Sequence, residues 1–114
     1  MLNAGLSNKI GNIKVRLYSG SGRFCFYLGV EFLQFFRNID TFFCKLILGD
    51  NGGQIFFSPA PERFARAVRP FFKNNGIVIP VPEYQRRVLG LQKNSAVEVE
   101  IVKVDGRFGL LLKS

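Results

Sequence analysis

The side chains of this chain that could act on a ligand are mostly basic. Sixteen Lys and Arg stand against eight Asp and Glu, which gives a formal net charge of +8 in 114 residues. Such an excess in a small chain is typical of a protein that binds a polyanion, most often nucleic acid. A basic surface with no polyanion partner, or one that binds acidic lipid, is the alternative interpretation.

The same inventory argues against catalysis. The chain has no histidine to act as general base or metal ligand, and it has no nucleophile elbow, P-loop or dinucleotide fingerprint. The stretch from Gly49 to Gly53 is rich in glycine but lacks the lysine and the following helix of a phosphate loop, so it predicts a hairpin turn. Cys25 and Cys44 lie in Phe-rich runs and predict buried free thiols. We therefore expect no enzyme, no catalytic residue, no metal and no cofactor.

Length and composition favour a single domain with a packed aromatic core. The chain is 47% hydrophobic and contains 13 Phe and no Trp, which suits a mainly β fold. No apolar run reaches the roughly 18 residues of a membrane-spanning helix. The first 12 residues lack a hydrophobic signal core. These features predict a cytoplasmic protein that does not associate with membranes.

The elements around which the chain is organised are clearest between Gly76 and Leu112. An apolar run, Ile77 to Val81, predicts a strand, and Pro82 opens a short helix because proline is favoured at a helix start. Gly90 ends that helix. After a polar turn, residues 97–101 alternate between apolar and acidic side chains, which is the pattern of a half-buried strand. Asp105-Gly106 then predicts a tight hairpin turn.

The first half of the chain repeats this order. Two short strands flank the turn predicted at Ser19-Gly20-Ser21-Gly22, a helix-like segment follows, and a hairpin closes the unit. The predicted elements are strands Ile13 to Leu17 and Phe24 to Leu28, a helical segment Val30 to Asn38, and strands Phe42 to Leu48 and Gln54 to Ser58.

The two halves can be aligned as copies of one supersecondary unit. The alignment pairs Glu31 with Glu83 and Ile39 with Leu91; after a two-residue gap, it pairs Phe42 with Ala96, Asn51-Gly52 with Asp105-Gly106, and Phe57 with Leu111. We therefore divide the chain into a flexible N-terminal arm (1–12), a first repeat (13–58), a Pro/Arg linker (59–66) and a second repeat (67–114), which together form one structural domain.

The linker and the residues after it, PAPERFARAVRP, contain a cluster of arginines. Glu62 to Val68 is predicted to form two helical turns, with Glu62 near the positive end of the helix. Arg63, Arg66 and Arg69 would then share one face of it. That face is either a solvated linker surface or a surface that contacts phosphates.

The motif in the second half resembles the swapped-hairpin DNA-binding domains of the AbrB, MazE and MraZ families. These families share an apolar strand that ends in Ile-Pro, a short Pro-x-x-x-Arg helix, a Leu-Gly-Leu-like end and a closing hairpin. Pro82, Arg86, Gly90 and Leu91 fall at matching intervals, whereas Ile79-Pro80 lies two residues before the family position.

The resemblance implies a fold and a mode of assembly. Two such units interleave their hairpins into one compact, β-barrel-like body with short helices, and the tandem order here is similar to MraZ. The expected fold class is therefore mainly β (α+β). The protein would be a pseudo-dimer within one chain, or would associate further into a homo-oligomer.

The resemblance also implies DNA-contacting residues by position. They lie on the leading strands, after the Ser-Gly turn and on the second helix: Lys14, Arg16, Arg23, Arg69, Lys73, Arg86 and Arg87. Arg63 and Arg66 are further candidates for phosphate contacts. In the alignment of the two copies, Gln34 and Phe35 stand where Arg86 and Arg87 stand, so we expect the two halves of the binding face to differ. The implied function is a sequence-tolerant duplex-DNA binder, a transcriptional regulator.

Two other classes of function fit the same residues. A single-strand binder would stack bases on aromatic platforms over a basic groove, with Tyr18, Phe26, Tyr27 and Tyr84 as the candidates. A protein-interaction module, including an antitoxin-like one, would use an exposed Phe patch. Salt-dependent duplex binding favours the first interpretation, preference for single strands favours the second, and no nucleic-acid binding favours the third.

Overall fold

The computed structural model describes residues 9–20, 23–50 and 52–113. In the first half the elements are β1 (Lys9–Arg16), β2 (Tyr18–Gly20), β3 (Arg23–Leu28), α1 (Val30–Phe36), β4 (Phe42–Gly49) and β5 (Gly52–Ser58). In the second half they are β6 (Arg66–Val68), β7 (Phe71–Lys73), β8 (Gly76–Val81), α2 (Glu83–Val88), β9 (Ala96–Val104) and β10 (Arg107–Lys113). The mainly β prediction with short helices is confirmed.

Two antiparallel sheets make up the body of the molecule. One has six strands in the order β1-β9-β10-β5-β4-β6, and the other has four in the order β2-β3-β8-β7. If β1 is replaced by β6, β2 by β7 and so on, and each of β6–β10 by its counterpart in the first half, both sheets have the same strand order read from the opposite edge. The two halves also cross over, because β1 pairs with β9 of the second half and β6 pairs with β4 of the first half.

One aromatic core lies between the elements of both halves. Phe26, Phe42 and Phe57 are fully buried, and Phe57 makes edge contacts with the other two rings at centroid distances of 5.7 and 6.0 Å. Ile79 and Ile101 from the second half are buried in the same cluster. All six residues of strand β8 are buried, which follows from its continuous apolar sequence.

The turn residues act as the sequence indicates. Asp105 and Gly106 have φ values of 52° and 78°, the left-handed pair that a two-residue hairpin turn requires. Gly90, with φ 70°, follows the last turn of α2, where a residue with no Cβ carries no steric penalty. Both cysteines are buried and free, as predicted.

The predicted helix at Glu62 to Val68 is wrong. Residues 63 and 64 form a turn, and Arg66–Val68 is strand β6, which pairs with the edge of β4. The pairing places Val68 in the core at 7% exposure, and this tertiary gain outweighs the helical preference of a short segment. Arg63, Arg66 and Arg69 therefore do not share a helix face.

Several boundaries also differ from the sequence prediction. Strand β1 begins at Lys9, so residues 9–12 belong to a strand that pairs with β9 rather than to an N-terminal arm. Residues 1–8 of the arm lie outside the described part of the chain. The predicted turn at Ser19-Gly20-Ser21-Gly22 is narrower, since Ser19 and Gly20 lie in β2; residues 21 and 22, and Asn51 of the first hairpin loop, lie outside the described residues.

Neither of the helices described has the length and apolar character needed to cross a lipid bilayer.

Candidate nucleic-acid interface

Three arginines that the sequence nominated converge on one cavity of about 320 Å³. Arg23 is the first residue of β3, Arg66 is the first residue of β6, and Arg86 lies in α2. They are far apart in sequence and come from both halves of the chain. We call this feature the arginine cavity.

The strand pairings explain why these side chains meet. In the second sheet, Phe24 pairs with Val81, which brings Arg23 next to Pro82 and the start of α2. Strand β6 lies on the edge of β4 and also contacts β8, so Arg66 reaches the same place from the other sheet. Apart from Glu83, the residues that line the cavity between the arginines have apolar side chains, including Phe24, Val68 and Val81.

Arg86 is held rigidly within the cavity wall. Its guanidinium carbon lies 4.0 Å from the centre of the Phe24 ring, which is a favourable cation–π distance. Its Nη1 donates to the Leu91 carbonyl at 2.9 Å, and its Nη2 lies 4.0 Å from Glu83 Oε1. With only 14% of its side chain exposed, Arg86 positions the end of α2 and contributes a fixed positive charge.

The other arginines are free to contact a ligand. Arg23 and Arg66 are exposed. Arg87 is 68% exposed and shares the Glu83 carboxylate, which lies 3.3 Å from its Nη2. Among the described residues, the cavity is thus lined by three guanidinium groups and one carboxylate, Glu83. Guanidinium groups that outnumber carboxylates in this way suit phosphate oxygens, which they bind through two parallel hydrogen bonds.

Arg16 lies at the loop that follows α2, which also contains Leu91, the residue whose carbonyl accepts the hydrogen bond from Arg86. Its Nη1 donates to the Asn94 carbonyl at 3.0 Å, and Leu17 and the residues at 94 and 95 exchange two backbone bonds. Since Arg86 is bonded to Leu91 in the same loop, Arg16 and Arg86 fix opposite ends of it. Lys14 is exposed on β1, two residues before Arg16 and so on the same face of that strand.

The remaining predicted residues lie away from the arginine cavity lining. Arg69 follows β6 and is paired with Asp40 at 3.2 Å, with both side chains more than three-quarters exposed. Lys73 is the exposed last residue of β7. Arg63 lies in the turn before β6, with its guanidinium carbon 5.5 Å from the Phe64 ring centre. The structure therefore brings together Arg23, Arg66 and Arg86, with Arg16 bonded to the same loop as Arg86, and separates the rest.

The positions that correspond between the two helices are shifted by one residue from those in the sequence alignment. The helices begin at Val30 and Glu83, so Leu33 and Gln34, rather than Gln34 and Phe35, correspond to Arg86 and Arg87. Strands β3 and β8 begin at Arg23 and Gly76, so Gly76 corresponds to Arg23. At the place in the other half that corresponds to the arginine cavity, Leu33 therefore stands in place of Arg86, and Gly76 stands in place of Arg23.

The aromatic platforms proposed from the sequence are mostly unavailable. Phe26 is fully buried in the core, and the hydroxyl of Tyr27 donates to the Asn74 carbonyl at 2.9 Å. Burial raises the pKa of the half-buried Tyr18. Of the four, Tyr84 is the most exposed, at 75%, and Tyr27 is 37% exposed. Sequence reasoning did not single out Phe64, which is 92% exposed, because a Phe in an apolar-rich chain is normally a core residue.

The two thiols show no sign of reactivity. Burial raises the pKa of Cys25 and raises that of Cys44 much further, so both remain protonated at neutral pH and behave as small apolar side chains. Cys44 packs in the main core and accepts, through its backbone carbonyl, a bond from Gln85.

No protein-family model, no curated protein and no solved structure matches this chain. The arginine cavity and its surroundings, through their geometry and charge, are therefore the features from which a function can be inferred.

Proposed function

We propose that the protein binds duplex DNA through the arginine cavity and the exposed basic residues around it, as a transcriptional regulator of the AbrB-like type. The observation that carries the proposal is the convergence of Arg23, Arg66 and Arg86 from three elements and both halves. Ion-paired surface arginines are common, whereas three arginines that line one cavity with a single carboxylate leave an excess of positive charge there, which favours an anionic ligand.

The strand order supports the family part of the proposal. Two units that interleave their hairpins would place the leading strand of each unit on the hairpin of the other. That is the pairing of β1 with β9 and of β6 with β4. In this interpretation residues 13–58 and 67–114 are the two AbrB-like units, and the six-stranded sheet is the body in which their hairpins interleave.

Each arginine has a distinct role in the proposed contact. Arg23 and Arg66 bind phosphate oxygens directly, and Arg87 contacts the backbone from the exposed side of α2. Arg86 and Arg16 hold the loop after α2 in place and add to the local positive potential. Lys14 contributes charge along β1. Because these contacts are to phosphates, they fix position on the duplex without reading its sequence.

The asymmetry between the halves defines the form of the complex. Leu33 and Gly76 stand at the positions that correspond to Arg86 and Arg23, so the arginine cavity has no arginine-rich counterpart related to it by exchange of the halves. We therefore expect one cavity to engage one stretch of backbone, with no requirement for a palindromic site.

The test is a fluorescence-anisotropy titration of a random-sequence duplex and a matched single strand at several salt concentrations. Neutralising one phosphate contributes about −0.9 to the slope of log K against log salt for duplex DNA. The double variant Arg23→Ala/Arg66→Ala should weaken binding to all duplexes alike and reduce the steepness of that slope by about 2.

The matched control is Arg37→Ala/Arg107→Ala, which removes the same charge from two exposed arginines that do not line the cavity. The control should lose much less affinity than the cavity variant. Equal losses in the two variants would mean that net charge alone drives binding. A single strand that binds more tightly than the duplex would favour the single-strand alternative, and no binding at low salt would favour a protein partner.

A further inference from the structure

A second, more apolar groove lies beside the arginine cavity. It has a volume of about 450 Å³, within the range of small-molecule sites, and its lining includes Phe64, Tyr84, Gln85 and Arg66. Phe64 and Tyr84 are the two most exposed large apolar side chains among the described residues. We call it the aromatic groove.

The backbone at Phe64 is in a conformation that costs free energy. Its φ is 60°, the left-handed region, which is unfavourable by about 1–2 kcal/mol for a residue with a Cβ. Asn or Gly would satisfy this turn more cheaply, and an exposed Phe contributes little to folding. A strained position that displays an aromatic ring to solvent is a feature of ligand-contacting sites.

The turn that carries Phe64 is fixed on both sides. Ala65 N–H donates to the Glu62 carbonyl at 3.4 Å, and Glu62 pairs with Lys45 of β4 at 4.0 Å. Ser58 donates to and accepts from the backbone of Ala60. The backbone that carries Phe64 is therefore part of an ordered turn close to β4, and the ring extends from it into solvent.

The wall of the groove includes Gln85, whose buried amide oxygen is an unsatisfied hydrogen-bond acceptor. Gln85 is 6% exposed, and its Nε2 donates to the Cys44 carbonyl at 2.9 Å. That bond fixes the orientation of the amide, because only the NH₂ group can donate to a carbonyl. Among the described residues, nothing donates to Gln85 Oε1. A buried acceptor without a donor is unfavourable, but Gln85 Oε1 is closed off from solvent, so an N–H group would reach it only if neighbouring groove side chains shift.

Arg66 connects the two sites, since it lines both the arginine cavity and the aromatic groove. A flat ring that packs on the exposed Phe64 and Tyr84, with an anionic group beside Arg66, has the chemistry of a nucleotide. We propose that the aromatic groove binds one unpaired base of the DNA, while Arg66 and Arg23 hold the adjoining phosphate. This inference depends on the proposed DNA binding and adds a base-binding site to it.

The test compares three labelled duplexes of otherwise identical sequence by fluorescence anisotropy at one salt concentration. One is fully paired, one carries a single unpaired adenine in the middle, and one carries an abasic residue at that position. Stacking of one base on aromatic side chains is worth about 5- to 150-fold in affinity. We expect the adenine-bulged duplex to bind about tenfold more tightly than the paired and abasic duplexes.

Two variants assign that preference to the groove. Phe64→Asn introduces a residue that tolerates the left-handed conformation, so the fold should be at least as stable. Tyr84→Ser changes an exposed side chain on α2. Each should remove the preference for the bulge and leave binding to the paired duplex unchanged. Phe72→Ser, at another exposed Phe, which lies in β7 and is 53% exposed, is the control and should keep the preference.

The outcomes separate this inference from the proposed function. Equal binding of all three duplexes would overturn the base site and leave DNA binding intact. Equal binding of the adenine-bulged and abasic duplexes, both tighter than the paired one, would show recognition of flexibility and would also overturn it. Free AMP that competes at the affinity of the bulged duplex would replace a strand site by a mononucleotide site. Failure of all three duplexes to bind at low salt would overturn both proposals.

Discussion

Two neighbouring arginines of α2 have different physical roles, although the sequence pattern gave them the same one. Arg86 packs on Phe24 and bonds the Leu91 carbonyl with 14% of its side chain exposed. Arg87 is 68% exposed and pairs only with Glu83 in the contacts described. A residue-level pattern such as Pro-x-x-x-Arg marks the position of a basic residue but does not say how far it is buried.

This difference gives a prediction about stability. Arg86→Ala should lower the free energy of unfolding by about 2 kcal/mol, because it removes a charged hydrogen bond and a cation–π contact. Arg87→Ala should change it by no more than about 0.5 kcal/mol, the usual effect of an exposed helical ion pair. Urea unfolding of both variants measures the two values.

The conservative variant sharpens the comparison at Arg86. Arg86→Lys keeps the charge but loses the planar group that stacks on Phe24 while donating to Leu91, so it should recover only part of the stability. For DNA affinity we expect the opposite order of effects. Arg87→Ala should lose more affinity than Arg86→Ala, although its stability is unchanged. If the two alanine variants had the same unfolding free energy, the distinction between a positioning arginine and a contacting arginine would be wrong.

At the scale of elements, most of the fold could be predicted from the sequence. Periodicity and turn chemistry locate β3, α1, β4, β8, α2 and the final hairpin to within a few residues, because each has a clear apolar pattern bounded by Gly, Pro or Asp. The failure at Glu62 to Val68 has a definite cause. A three-residue strand gains its stability from pairing with β4, and no local pattern encodes a partner that lies more than twenty residues away.

The candidate site was predictable in part for the same reason. The family resemblance implied Arg23 and Arg86, and the predicted linker helix implied Arg66, but only the fold places the three around one cavity. The aromatic groove was not predictable, because the exposure of Phe64 depends on a backbone conformation that its residue type disfavours. A site cannot be predicted from the conformational preferences of residue types when its residues adopt conformations that those preferences disfavour.

The end of α2 provides a prediction at this scale. Gly90→Ala should lower the free energy of unfolding by about 1 kcal/mol, because φ at this position is 70° and a Cβ meets no atom within 4 Å. The cost would therefore come from backbone strain alone. In a chain of this length that corresponds to a decrease in Tm of roughly 4 °C, measured by thermal unfolding.

Gly49→Ala is the control for this substitution. Gly49 lies in β4 with no positive φ, and a Cβ added there would come no closer than 3.9 Å to the nearest neighbouring atom, a backbone oxygen. The variant should therefore be nearly as stable as the parent protein. Equal Tm changes in the two variants would mean that loss of glycine flexibility in general, rather than the left-handed conformation of Gly90, sets the cost.

At the scale of the whole molecule, the two halves depend on each other for their structure. The pairings β1·β9, β10·β5, β4·β6 and β3·β8 all join one half to the other, and they account for half of the strand pairings described. The aromatic core is also shared, since Phe26 and Phe57 lie in one cluster with Ile79 and Leu110. A single half would leave its strand edges unpaired and much of its apolar surface exposed.

We therefore expect neither half to fold as a monomer. Fragments 1–58 and 59–114, prepared separately, should lack the β-sheet circular dichroism of the intact chain when they are monomeric by analytical ultracentrifugation. Mixed in equal amounts, they should regain it and form a one-to-one complex, because every pairing across the halves can form between two separate chains. The cut falls directly after Ser58, the last residue of β5, and so divides no described strand. A fragment that was folded and monomeric on its own would show that the halves are independent, and the interpretation of the fold as two interleaved units would then fail.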